Sequence, residues 1–224
     1  RKRTDWASEV AGPESLQHAA LGYSLLFPGR EVCYLAFGAP HRECRLEENN
    51  AYLSRGLEGT SSAALALTDP QWSAERVAEA LRAPRIIGIK PYQDLLPNFT
   101  GEDVSVFDFC PHEHLDVLNE RGAWLTLHLP RRERLAAPEN ITEVREIRRR
   151  YPRVILVIAH VGRSYAGRYA REGLPALAED EGIFFDTSAL LNPAVYALAM
   201  DRIGPQRLLF GSDFPILYMR GRRC

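Results

Sequence analysis

Seven short apolar runs, each followed by a polar turn, constrain this chain more than any other feature of it. They are EVCYLAFG (31–38), SAALALTD (62–69), RIIGIKPY (85–92), AWLTLHLP (123–130), RVILVIAH (153–160), GIFFDTSA (182–189) and RLLFGSDF (207–214). Stretches with helical spacing lie between them: NNAYLSRGLEG, SAERVAEALRAP, HEHLDVLNERG, NITEVREIRRRYP, LPALAED and PAVYALAMDRIG. A run that is apolar on both faces suits a parallel strand covered by helices on both sides. The helix ends are punctuated as expected. Gly122 follows one, and Arg148, Arg149 and Arg150 sit at the negative end of another helix dipole.

An alternation of this kind is an α/β fold, and two architectures compete for it. A (β/α)8 barrel of the TIM type needs eight strands in about 250 residues; this chain has 224 residues and seven runs. The opening DWASEVAGPESLQHAALGYSLL reads as a helical lead into the first run, and ILYMRGRRC follows the last run without a helical pattern. The expectation is therefore one barrel domain over 1–224, with its first strand upstream of Arg1 and its C-terminal helix missing. A doubly wound open sheet is the alternative. It usually carries a glycine-rich phosphate loop after its first strand, and this sequence has none.

Charge and cysteines narrow the partners. Lys and Arg number 28 against 29 Asp and Glu, a net charge of −1, so no general attraction to nucleic acid or to a membrane surface is expected. No apolar run reaches the roughly 18 residues of a membrane span. The basic start RKRTDWASEV lacks the apolar region of a secretory signal. Cys33, Cys44, Cys110 and Cys224 are irregularly spaced, with no CxxC pair. That fits a reducing cytoplasm better than a disulfide scaffold.

The chemistry is read at the strand ends, which a barrel gathers around one mouth. They carry Lys90, His128, His160, Asp186 and Asp213. Two histidines and an aspartate suit a divalent metal with water at an open position. His128 and His160 are one βα step apart, and Asp213 follows two steps later. The HxH pair His112 and His114 is set aside. Pro111 precedes a helical pattern there, and residues i and i+2 of a helix point roughly 200° apart. A solvated first helical turn is expected for both, and no role is assigned to His18 or His41. Lys90 has two readings from its own setting: a snorkelling surface lysine, or an ammonium for a substrate carboxylate. Arg163 is a candidate carboxylate binder. Asp186 and Thr187 could orient a ligand or hydrogen-bond across the mouth. The basic loop PRRERLAAPENI is read as a solvated face rather than a lid.

Together LTLHLP, VIAHVGR, FFDTSA and LLFGSDFP resemble the amidohydrolase superfamily, over about residues 30–218. The likeness is greatest to its amidohydrolase-related branch of metal-dependent hydrolases and aminocarboxymuconate-semialdehyde or resorcylate type decarboxylases. The resemblance implies a (β/α)8 barrel with one or two divalent metals, zinc first, manganese or iron as alternatives. It implies that His128 is a metal ligand, and that His160 is a second-metal ligand or the catalytic acid/base. It makes Asp213 a ligand and proton shuttle. In some binuclear relatives a lysine placed like Lys90 is carbamylated. The family's HxH at the end of its first strand has no counterpart in these runs, and is expected upstream of Arg1 if the site is whole. The leading expectation is a metal-dependent hydrolase of a C–N or C–O bond in a small, carboxylate-bearing substrate. Non-oxidative decarboxylation of an unsaturated or aromatic acid is the alternative, and a non-catalytic barrel fragment the third. A small molecule is the expected partner, without nucleic acid or membrane; a homo-oligomer is left open.

Overall fold

The computed structural model describes residues 15–101 and 103–215. The stretch upstream of Arg1, the RKRTDWASEV start and the residues after Pro215, where a missing covering helix was expected, lie outside these. Among the described residues seven strands form one parallel sheet in strict sequence order. They are β1 (Leu35–Ala36), β2 (Ala63–Ala66), β3 (Ile86–Ile89), β4 (Trp124–Leu127), β5 (Ile155–Ile158), β6 (Ile183–Asp186) and β7 (Leu208–Leu209). Every one falls inside an expected run. Sequential neighbours, all parallel, are the order of a (β/α) barrel rather than of a doubly wound sheet, which reverses direction partway.

The helices between the strands follow from the same pattern. They are α1 (Leu16–Leu26), α2 (Leu46–Gly56), α3 (Ala74–Ala80), α4 (Val106–Phe109), α5 (His112–Arg121), α6 (Pro138–Arg150), α7 (His160–Arg163, a single left-handed turn the pattern did not mark), α8 (Gly167–Leu177) and α9 (Pro193–Arg202). Gly122 ends α5 at φ +62°, the left-handed position a glycine takes without a Cβ penalty. Arg148, Arg149 and Arg150 fill the last turn of α6. The expected LPALAED helix begins earlier than its sequence suggests, because α8 continues through Pro175. The middle strands are largely buried, and Leu65, Ile89, Leu125, Leu127, Leu156, Ile158 and Phe185 have no exposed surface, whereas β1 and β7 are only partly covered and Ile87 and Ile155 are exposed. At about 25 cal/mol per Å2 of apolar area, this burial is the main term holding the layers together. β3 lies so close to β4 that a Cβ on Gly88 would collide with the Trp124 backbone.

Two expectations about the periphery are corrected. α5 does open at His112, but His114 is fully buried, its Nε2 2.7 Å from the carbonyl of Trp72. His112 remains partly exposed, stacked on Phe107 and 2.8 Å from the Tyr151 hydroxyl through Nδ1. The loop PRRERLAAPENI is packed rather than solvated. Leu135 is fully buried, and Arg131 makes two bonds of 2.7 and 2.8 Å to Glu143. Apolar Leu135 and the half-buried Arg131–Glu143 pair outweigh the basic composition that suggested a water-facing loop.

Candidate active site

The turns after β5, β6 and β7 form the site, and their backbone is unusual. His160, Val161, Gly162 and Arg163 are all left-handed, at φ +57°, +46°, +64° and +62°. Ala189 and Asp213 share that region at +53° each. For an L residue this costs about 1–2 kcal/mol, so the surrounding structure must hold it. Gly162 is the one glycine in the run, and a Cβ there would sit 2.7 Å from Leu135. The reversed turn throws the His160 and Arg163 side chains off the end of β5.

Asp186, the last residue of β6, holds His160. Its Oδ1 accepts the His160 backbone N–H at 2.9 Å, the Ser188 N–H at 3.0 Å and the Ser188 hydroxyl. His160 Nδ1 lies 2.9 Å from the Ser188 carbonyl. A carbonyl can only accept, so Nδ1 carries the hydrogen and Nε2 of the neutral ring carries the lone pair. Burial lowers the His160 pKa, against the opposing pull of Asp186, so the ring is neutral near pH 7. Thr187 instead serves the sheet, since its N–H and hydroxyl both reach the Leu209 carbonyl.

Lys90 follows β3 and is only 1 % exposed. That removes the surface-lysine reading. Its Nζ stands 5.3 Å from the centre of the Phe37 ring and 5.0 Å from that of Tyr92. Burial pulls the ammonium down to about 8, while the charges of Asp186 and Asp213 oppose this. Tyr92 is pushed well above its ordinary value, chiefly by burial and then by Asp213. Asp213 thus shares the field of this mouth with Lys90, Tyr92 and His160. It is braced by its neighbours: Ser212 Oγ accepts the Phe214 N–H at 3.2 Å and lies 2.6 Å from the Tyr23 hydroxyl of α1.

His128 follows β4, with its ring centre 5.4 Å from that of His160, edge to face, and 5.8 Å from that of Tyr92. Arg163 turns back, its Nη1 donating to the Leu129 carbonyl at 3.0 Å and the Pro130 carbonyl at 3.2 Å. The five residues singled out in the sequence therefore lie around one strand-end mouth. Phe37, Tyr92 and Ser188 belong there too. No sequence pattern marked the first two; Ser188 stood inside the quoted FFDTSA run without a role.

The donors suit a divalent metal in kind: imidazole nitrogen and carboxylate oxygen. The bond from His160 Nδ1 to a backbone carbonyl is the outer support that ligating histidines carry. Among the described residues, however, no group of three or more His, Cys, Asp or Glu side chains is gathered closely enough to hold an ion. The described mouth fits a metal as part of its shell.

A family model described as amidohydrolase matches residues 52–220. Three solved structures illustrate the likeness in fold. A 2,6-dihydroxybenzoate decarboxylase from Rhizobium is 17% identical, with TM-score 0.65 over 96% of this chain and 83% of that one. A dihydroxybenzoic acid decarboxylase from Polaromonas, with bound manganese and the inhibitor 2-nitroresorcinol, is 16% identical, with TM-score 0.64 over 94% and 79%. An amidohydrolase from Burkholderia multivorans with bound zinc is 20% identical, with TM-score 0.64 over 96% and 82%. No curated protein gave a significant match. The family match spans most of the sequence, and the chain belongs to the amidohydrolase family.

Proposed function

We propose that this enzyme is a metal-dependent decarboxylase of an aromatic or unsaturated carboxylic acid, and that Lys90, His160 and Asp213 carry the reaction. The observation that supports this best is the burial of Lys90 between two aromatic rings. A buried ammonium is costly unless it is paired. A substrate carboxylate would pair it, and Phe37 and Tyr92 suit a flat, unsaturated ring beside that carboxylate. A carboxylate-bearing substrate is common to the hydrolase and decarboxylase readings; the two aromatic rings beside Lys90 favour an unsaturated acid, which reverses the order expected from sequence. The fold likeness to two benzoate-type decarboxylases points the same way.

His128 and Asp213 are proposed as part of the protein shell of a divalent metal, zinc or manganese, with His160 kept as the acid/base group beside it. When bound, the metal would supply Lewis-acid stabilisation of negative charge on substrate oxygens. The chain's own residues do the rest. Lys90 receives the carboxylate, with Arg163 at the rim as a second cation. His160 Nε2 takes up a proton from water, the carboxylates of Asp186 and Asp213 stabilise the charged ring that results, and that proton is the one delivered to the substrate. The proton goes to the carbon that bears the carboxylate. The bond between that carbon and the carboxylate then breaks, its electron pair returns to the unsaturated system, and carbon dioxide leaves. One proton replaces one carbon dioxide, and nothing is oxidised.

A neutral Nε2 beside the Asp213 carboxylate also favours a second reading, in which the same pair takes a proton from water during hydrolysis. The test gives the zinc- or manganese-loaded full-length protein a panel of hydroxylated benzoates and, separately, a panel of lactones and amides. Release of carbon dioxide supports the first reading. Acid release from the second panel alone overturns it in favour of hydrolysis. Inactivity on both panels leaves a non-catalytic barrel.

A further inference from the structure

A hollow of about 190 Å3 opens beside the mouth, and its lining is strongly basic. Arg132, Arg134 and Arg163 face it with Gln93 and Pro130, against the single carboxylate of Asp103. That carboxylate is already engaged, since its Oδ1 accepts the Arg132 backbone N–H at 2.6 Å. The hollow is built from the turns after β3, β4 and β5, which also carry Lys90, His128 and His160. Gln93 follows Tyr92, whose ring faces Lys90 and His128. Pro130 is two residues past His128, and Arg163 closes the left-handed turn that His160 begins.

Two of the guanidiniums are held in place before any ligand arrives. Arg134 lies over the rings of Tyr165 and Tyr169, 5.1 and 5.0 Å from their centres, and its Nη1 donates to the Arg163 carbonyl at 3.3 Å. Arg163 is fixed through Nη1 to two backbone carbonyls. A guanidinium held over an aromatic face keeps the N–H groups in its own plane, where a forked oxyanion can reach them. Holding the side chain beforehand reduces the entropy lost on binding. Arg132 is exposed at the rim.

We infer that this hollow is a second anion subsite, and that the substrate carries two anionic groups. One lies at Lys90 in the mouth; the other, a carboxylate or a phosphate, lies at Arg132 and Arg134. This rests on the reading of the mouth as a carboxylate site, and it narrows the substrate class to dianions. Bidentate, charge-assisted contacts to guanidinium are the strong kind.

The experiment measures equilibrium binding to the metal-loaded full-length protein by calorimetry, with benzoate, isophthalate and 3-(phosphonooxy)benzoate as probes. At least one dianion should bind roughly tenfold tighter than benzoate, the return of one charged hydrogen-bonded contact. Arg132→Ala should bring that ratio down to about one, with an unchanged thermal melt. Whichever dianion shows the advantage identifies the second group as carboxylate or phosphate. Equal binding of all three probes, no binding of any, or an advantage that survives both Arg132→Ala and Arg134→Gln overturns the subsite. A failure of the decarboxylase reading looks different: the dianion is still preferred, but no substrate releases carbon dioxide.

Discussion

His114 and His160 are both buried, and each places a ring nitrogen within 3 Å of a backbone carbonyl, at 2.7 and 2.9 Å. Their surroundings differ in two respects. His114 sits in the regular helix α5, and its helix neighbours Leu115 and Leu118 are fully buried in the core. His160 begins a left-handed turn and stands in the field of Asp186, Lys90 and Asp213. Burial lowers the pKa of both, so neither burial, a hydrogen bond nor a lowered pKa separates structure from function here. His114 too feels acidic charges, from Glu113 and Asp69, so backbone strain and the buried Lys90 beside His160 make the difference. Strain persists only where the surroundings impose it, and such places cluster at reactive sites.

The comparison breaks most sharply at Asp213. Asp213→Asn keeps size and shape but removes a carboxylate that can take a proton or hold a metal. Turnover should fall about 10²–10⁴-fold, the usual worth of an acid/base group, while the melt stays close to wild type. Near-normal kcat would reduce Asp213 to a turn residue and make the mouth resemble the surroundings of His114.

Lys90→Met tests the carboxylate site. Losing a charged hydrogen bond of about 1.5–3 kcal/mol corresponds to a KM increase of roughly 10–150-fold for an anionic substrate. An unchanged KM would return Lys90 to a structural role.

Asp186→Ala should lower kcat about 10–100-fold, the usual cost of losing an outer partner of an active-site group. Asp186 touches no reacting atom by this account; it orients the left-handed turn. A variant that loses stability but keeps kcat would make it a structural residue only.

The pH dependence sharpens the same picture. Burial lowers the Lys90 pKa from 10.5 to about 8. If Lys90 binds the substrate carboxylate as proposed, its ammonium is lost as pH rises through about 8, so KM should rise about tenfold per unit above it. The stability sign is opposite. Between about 8 and 10.5 the unfolded chain holds more protons than the folded one, so the fold gains stability as pH rises through that window. A melt measured across that window, beside KM over the same range, checks both.

The smallest expected effect on catalysis belongs to His114. His114→Phe leaves the Trp72 carbonyl buried without its donor, a cost of about 1–3 kcal/mol in stability. kcat should not change. A large fall in kcat would show that the two histidines do not differ in the way their surroundings indicate.

The chain's strands and their order were legible because burial on both faces leaves apolar runs, and these depend on local composition alone. The common placement of Lys90, His128, His160 and Asp213 at one end of the sheet was legible for a related reason. A parallel sheet puts every strand end on one side, so counting to the end of a run is already a spatial statement. The buried state of Lys90 and His114 was not legible. Both lie in polar or mixed local sequence, and what covers them comes from distant segments: Phe37 for the lysine, the Trp72 carbonyl for the histidine. The left-handed run at His160 was hidden for the same reason. Only Gly162 hints at it, and the contacts that hold it come from Asp186 on the next strand and Leu135 on the preceding loop. Local spacing determined where the chemistry-bearing residues stand along the fold. Tertiary packing alone decided which of them are desolvated, strained and placed in one another's fields, because those properties depend on segments that sequence distance does not relate.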